Sequence, residues 1–124
     1  MTRINCGIPV VELVDKHLLA EAREIKRIPN CVSRGRYNIN NIPKQFTLGK
    51  GHVAFFYNKL KYLQNRYEEL YNECKHRNFK VSYWGGSWDD VPEELMNDYT
   101  PTERDKIIIR ERINERLLNM KNKK

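Results

Sequence analysis

The chain has 124 residues, of which 40% are hydrophobic, 31% charged and 10% aromatic, so it has the make-up of one globular domain and room for a single core. No window approaches the roughly 18 apolar residues of a membrane span, and the opening MTRINC lacks the basic-then-apolar pattern of a signal peptide, so a soluble intracellular protein is expected. The net charge of +7 is divided unevenly: +4 over residues 1–44, −2 over 45–103 and +5 over 104–124, so two basic ends that meet in the fold would make one face suited to a polyanion.

After Pro9, Val11, Val14, Leu18, Ala22, Ile25 and Ile28 step by three or four and predict an amphipathic first helix. Pro29 then falls inside or at its end and Gly35 stops it, which predicts a kinked last turn. The stretch from Ser33 to Lys44, rich in Asn and holding Pro43, reads as a polar loop. From Gly51, the positions Val53, Phe56, Leu60, Leu63, Tyr67, Leu70 and Cys74 predict one long middle helix. Residues 79–99 read as an irregular connection with one helical turn near Pro92.

A last helix is announced by Thr100-Pro101-Thr102-Glu103, with Thr100 as N-cap and Glu103 as its reciprocal partner, and it runs through Ile109, Ile113, Leu117 and Met120. The expected architecture is all-α: one domain over 1–124, three main helices with long irregular connections, and 119–124 as a flexible basic tail. Cys6, Cys31 and Cys74 are too few and too scattered for a disulfide framework or a zinc cage, and they read as reduced thiols. Gly49-Lys50-Gly51-His52 lacks the spacing of a phosphate-binding loop, and neither His52 nor the acids of 89–94 suggest a metal site, so no metal and no cofactor are expected.

Two features carry chemistry. On the first helix His17, Glu21 and Glu24 stack at i, i+4 and i+7, beside Arg23 and Arg27 on the adjacent strip. That pattern alone reads first as ordinary helix ion pairing. The second feature is Thr2, a small residue whose position permits removal of Met1 and leaves a free α-amine flanked by Arg3. An α-amine titrates near 7.7–8.0 against about 10.4 for lysine, so its neutral nucleophilic form is far more abundant at neutral pH, and nearby guanidinium groups lower it further. Such an amine is suited to attack a sugar C1′ and form a Schiff base.

The segments MTRIN, HLLAEAREIKR, LGKGHVAFFYNKL and NDYTP, in this order and at these separations, resemble the pyrimidine-dimer DNA glycosylases with AP lyase activity, known as endonuclease V of the T-even phage type. The resemblance implies a compact three-helix fold in which the N-terminal segment threads between helices and brings the terminal amine to a basic surface. It implies Thr2 as the nucleophile, Glu24 of the Arg23-Glu24 pair as acid and base, and Arg3, Arg23 and Arg27 as phosphate contacts that position the duplex. His17 and Lys121 complete the expected DNA-binding set. The implied partner is double-stranded DNA carrying UV photoproducts or abasic sites, acted on by a monomer without a cofactor. Relative to that family this chain has one more residue near Cys6-Gly7-Ile8-Pro9, a shorter loop before LGKGH and, after MKNKK, no aromatic basic tail, so Lys121, Lys123 and Lys124 are left as the terminal phosphate contacts. Two other functions remain compatible with the residues: an AP lyase or glycosylase for another damaged base, and a basic DNA-binding module without catalysis.

Overall fold

A computed structural model describes residues 2–40 and 42–122, the side chains of Lys121 and Asn122 excepted; the expected contacts of Lys121, Lys123 and Lys124 therefore lie outside the described side chains. The chain is all-helical, with helices α1 (Asp15–Glu24), α2 (Arg27–Ser33), α3 (His52–Phe55), α4 (Leu60–His76) and α5 (Glu103–Asn122), and with short 3-10 turns at Val10–Glu12, Gly85–Trp88 and Glu93–Leu95. Among the described residues no helix is long and apolar enough to cross a membrane.

The centre of the fold is α4. Its stripe Leu60, Leu63, Tyr67, Leu70 and Cys74 is buried along its whole length, and α1, the first 3-10 turn and the turn at Gly85–Trp88 pack against it. At its end Arg77 donates to the Leu13 carbonyl at 2.8 Å, to Asp15 Oδ1 at 2.9 Å and to Glu73 Oε2 at 2.7 Å, which ties the entry of α1 to the exit of α4.

The expected first helix starts later and breaks earlier. Val11 is 69% exposed in the 3-10 turn and Val14 precedes the first residue of α1, so the core stripe begins at Leu18. The break at Ile25–Lys26 follows from Pro29, which has no N–H to give the Ile25 carbonyl and whose ring crowds it. The chain closes that gap with a three-residue bond, Ile28 N–H to Ile25 O at 3.3 Å, and Pro29 then sits in the first turn of α2, where its missing donor costs nothing.

The middle helix is also two helices rather than the continuous one expected from Gly51. Residues 56–59 leave the helix, with Lys59 at φ −131° and ψ 40°. Phe55 and Phe56 are both fully buried, whereas in one unbroken helix adjacent side chains point about 100° apart. The break places both in a cluster of edge-on rings with Phe46 and His52, at centroid separations of 5.2–6.0 Å. The exposed carbonyls are met by side chains: Lys59 Nζ donates to Phe55 O at 2.9 Å and Asn97 Nδ2 to Asn58 O at 3.0 Å.

The capping box of α5 lies two residues beyond the expected Thr100–Glu103. Asp105 N–H donates to Thr102 Oγ1 at 3.1 Å and Thr102 N–H donates to Asp105 Oδ2 at 3.0 Å. Asp105 is buried and also accepts from the Tyr99 hydroxyl, so this box has an anchor in the core that Glu103, exposed and paired with Lys106, lacks. From there α5 runs on through Asn119 and Met120, where a flexible tail was expected.

The N-terminal segment threads between these helices. Ile4, Cys6 and Ile8 are buried in the common core, and burial pushes the Cys6 thiol up to about 12, leaving an unreactive protonated sulfur. Gly7 N–H donates to the Tyr62 hydroxyl of α4 at 3.2 Å. Its φ of +80° is a left-handed value, and an added Cβ would lie 2.8 Å from Pro101 Cβ and 2.9 Å from Lys106 Cγ, so glycine is required where the segment crosses the start of α5.

Candidate active site

The face of α1 that carries Lys16, His17, Ala20, Glu21 and Glu24 looks across a cleft at Arg112, Ile113, Arg116, Asn119 and Met120 of α5, with Arg3 and Asn5 of the N-terminal segment between them; the cleft holds about 620 Å³. Both sets of residues recur at three or four positions, the spacing of one helix face. The basic N-terminal third and the basic last helix thus meet, as the charge distribution requires for a single positive face.

Glu21 is committed to structure. Its Oε2 accepts from Arg66 Nε at 2.9 Å, and its Oε1 accepts from Arg66 Nη2 at 3.0 Å and from Asn5 Nδ2 at 2.8 Å. Arg66 donates in addition to the Ile8 carbonyl, so one buried pair holds α1, α4 and two points of the N-terminal segment. Burial opposes the Arg66 charge, but the Glu21 carboxylate outweighs it and raises the guanidinium above its ordinary pKa. Breaking such a pair costs about 3–5 kcal/mol, because the remaining charge is left buried without a partner.

Glu24, one turn further on, is left for the cleft. Its side chain is 16% exposed, and its ion pair with Arg23 Nη2 spans 3.8 Å, near the limit of a contact. Arg3 is half-buried, and burial, then the charges of Arg112 and Arg116, lower its pKa, while Glu24 acts in the other direction. His17 is lowered by burial first and then by Arg116, Lys16 and Arg3, so it is neutral at neutral pH and able to accept a hydrogen bond. The Nε of Arg112 is buried without a partner. Among the described residues no three His, Cys, Asp or Glu side chains converge on a metal position.

The sequence-predicted residues therefore divide. Arg3, His17 and Glu24 come together in the cleft. Thr2 is half-buried immediately before Arg3. Arg23 is 68% exposed and turns to a second groove of about 330 Å³, which it lines with Leu19, Lys26, Tyr67, Tyr71 and Trp84. There Lys26 Nζ stands 3.9 Å over the Trp84 ring, a cation–π contact. Trp84 is half exposed while Trp88 is core. Arg27 opens α2, beyond the break, and lines neither space. Lys16, Arg112 and Arg116 were missed by sequence reasoning, although the +5 charge of 104–124 and the i, i+4 spacing of the two arginines carry the signal. Glu21 and Arg66 carry another: each is a charge within an apolar stripe, between Leu18 and Ile25 and between Leu63 and Leu70.

A cleft lined by the four cationic side chains of Arg3, Lys16, Arg112 and Arg116, with the Glu24 carboxylate among them, has the charge to hold a polyanion. The model of the family described as pyrimidine dimer DNA glycosylase matches residues 1–83. The chain belongs to that family, whose substrate is DNA carrying pyrimidine dimers. The matched stretch holds every residue of the cleft except those of α5, so Arg112 and Arg116 are supplied from outside it.

Proposed function

We propose that the chain excises UV-induced cyclobutane pyrimidine dimers through an imine and then nicks the strand, with the α-amine of Thr2 as nucleophile and Glu24 as acid and base. The amine nitrogen bonds to C1′ of the 5′ nucleotide of the dimer while the bond from C1′ to the base nitrogen breaks and its electron pair leaves with the base. Loss of a proton from nitrogen leaves an amine-substituted sugar; the nitrogen lone pair then closes the C=N bond as the C1′–O4′ bond breaks and O4′ takes up a proton, which gives the protonated C1′ imine of the opened sugar. A base then removes a C2′ proton, the C3′–O bond breaks with the 3′ phosphate as leaving group, and water releases the amine. Glu24 balances the cationic sugar and moves these protons; Arg3, Arg112 and Arg116 hold the flanking phosphates.

The observation that carries this reading is the seating of the N-terminal segment. Residues 4–6 are fixed in the core by Glu21 and by α3, and the segment reaches the cleft wall through Arg3, beside Glu24. The protein is expected to act as a monomer, wherever UV-damaged DNA is present in a cell or an infected host.

Matched duplexes carrying one thymine dimer, one abasic site, one oxidised base or no lesion test the reading. Cleavage of both the dimer and the abasic duplex is expected. Cleavage of the abasic duplex alone would keep the amine chemistry and remove the dimer as its substrate, and binding without any cleavage would leave a DNA-binding module.

A further inference from the structure

His52, in the LGKGH segment, lies outside the cleft and has no part in the mechanism above, yet it is 4% exposed and both of its ring nitrogens are engaged. Its backbone arrives through Gly51 at φ +90°, where an added Cβ would lie 3.1 Å from Pro43 Cγ, so the turn that delivers the ring needs glycine. Nδ1 lies 2.8 Å from the Thr47 carbonyl, which can only accept, so Nδ1 carries the hydrogen. Nε2 of the neutral ring is then an acceptor, and the Ile4 N–H donates to it at 2.9 Å. Ile4 is two residues from Thr2, at most about 7 Å of chain.

We propose that His52 is a positioning residue: its neutral ring holds the Ile4 amide and thereby seats Thr2 and Arg3 against the cleft, and a second proton on the ring releases them. A proton on Nε2 sets one N–H against another and turns the bond into a repulsion. The groups facing the ring come from every neighbouring element: Arg3 from the N-terminal segment, Glu21 from α1, Arg112 from α5, the Thr47 carbonyl from the preceding loop, and the uncharged rings of Phe46 and Phe56. Burial chiefly, then Arg3 and Arg112, disfavours the second proton; the Thr47 carbonyl and Glu21 favour it, and the balance lowers His52 below its ordinary 6.5. The segment is therefore seated at neutral pH and released as the pH falls below that value. The consequence for catalysis rests on Thr2 being the nucleophile.

Two variants separate the two bonds of the ring. His52→Asn keeps a donor for Thr47 and withdraws the acceptor from Ile4; His52→Gln places an amide oxygen near the Nε2 position and does not titrate. The readouts are the hydrogen-exchange protection of the Ile4 amide, followed from neutral pH into acid, and borohydride trapping on an abasic duplex. In the wild type both are expected to fall on acidification; His52→Gln should keep Ile4 protection into acid, while its trapping keeps only the acid limb that protonation of the Thr2 amine itself imposes. His52→Asn should trap about a hundredfold more slowly at neutral pH, the cost typical of a displaced reacting group, with its duplex affinity falling by no more than the loss of the single phosphate contact of Arg3. Ile4 protection that falls with acid in His52→Gln as it does in the wild type overturns the proposal, as does wild-type trapping by a folded His52→Asn protein. Should His52→Asn fail to fold, Ile4 protection in the wild type against His52→Gln still decides. Ile4 protection that falls with pH in a wild type that never traps would refute Thr2 as nucleophile and keep the latch; trapping with pH-independent Ile4 protection would do the reverse.

Discussion

Three residues apart on α1, Glu21 and Glu24 place the same functional group in opposite surroundings. Glu21 is buried and accepts three hydrogen bonds from Arg66 and Asn5, whereas Glu24 touches the cleft and has one ion pair at 3.8 Å. One carboxylate has all its partners within the protein and the other retains capacity for a substrate. The difference lies in the helix period: position 21 falls on the stripe of Leu18 and Ile25, and position 24 falls at its edge. A site is thus built from two neighbouring acids, of which one aligns the N-terminal segment and the other is available to react.

Substitutions at these two positions should separate the roles. Glu24→Gln is expected to slow strand cleavage by about 10²–10⁴-fold, the range of a lost general acid or base, with the urea midpoint and duplex binding unchanged; retained cleavage would remove Glu24 from its role. Glu21→Gln should act the other way first, lowering stability by about 3–5 kcal/mol in urea denaturation because Arg66 is left charged and buried. A double Glu21→Met and Arg66→Met variant should recover much of that loss, and a folded double variant that still cleaves slowly would show that the pair aligns the segment as well as stabilising it.

The comparison extends to the arginines. Arg112→Ala and Arg116→Ala, in the cleft with Glu24, should each reduce the salt dependence of duplex binding by about one counterion. Equal behaviour of Arg27→Ala, which lines neither space, would place the DNA on a wider surface than the cleft. The smallest effect is local: Thr102→Ala is expected to cost about 0.5–2 kcal/mol through the lost cap of α5, while Thr100→Ala, outside the box, should change thermal stability little.

Helix type and approximate place were legible because the apolar stripes of α1 and α4 repeat at three and four, and the kink at Pro29 follows from proline itself. The break at 56–59 was not, since it is decided by burying Phe55 and Phe56 together around Phe46, a residue of the preceding loop that no helix period connects to them. The cap of α5 was misplaced for the same reason: Thr100–Glu103 and Thr102–Asp105 satisfy one local pattern, and the choice falls to the buried Asp105 held by Tyr99. Within the site, Arg3, His17 and Glu24 could be named from spacing and resemblance, whereas the division of labour between Glu21 and Glu24 depends on Arg66, 45 residues away in the chain. Arg112 and Arg116 were legible only as net charge until α5 was placed across the cleft from α1.

The central claim is that the N-terminal segment is seated so that its own amine reacts. Borohydride trapping on a duplex carrying one thymine dimer tests it most directly, with a protein beginning at Thr2 compared against one in which Met1 is retained and intact mass confirming each start. A covalent adduct mapping to Thr2, and lost when Met1 remains, is the predicted result; an adduct on a lysine side chain, or equal trapping by both proteins, would contradict it.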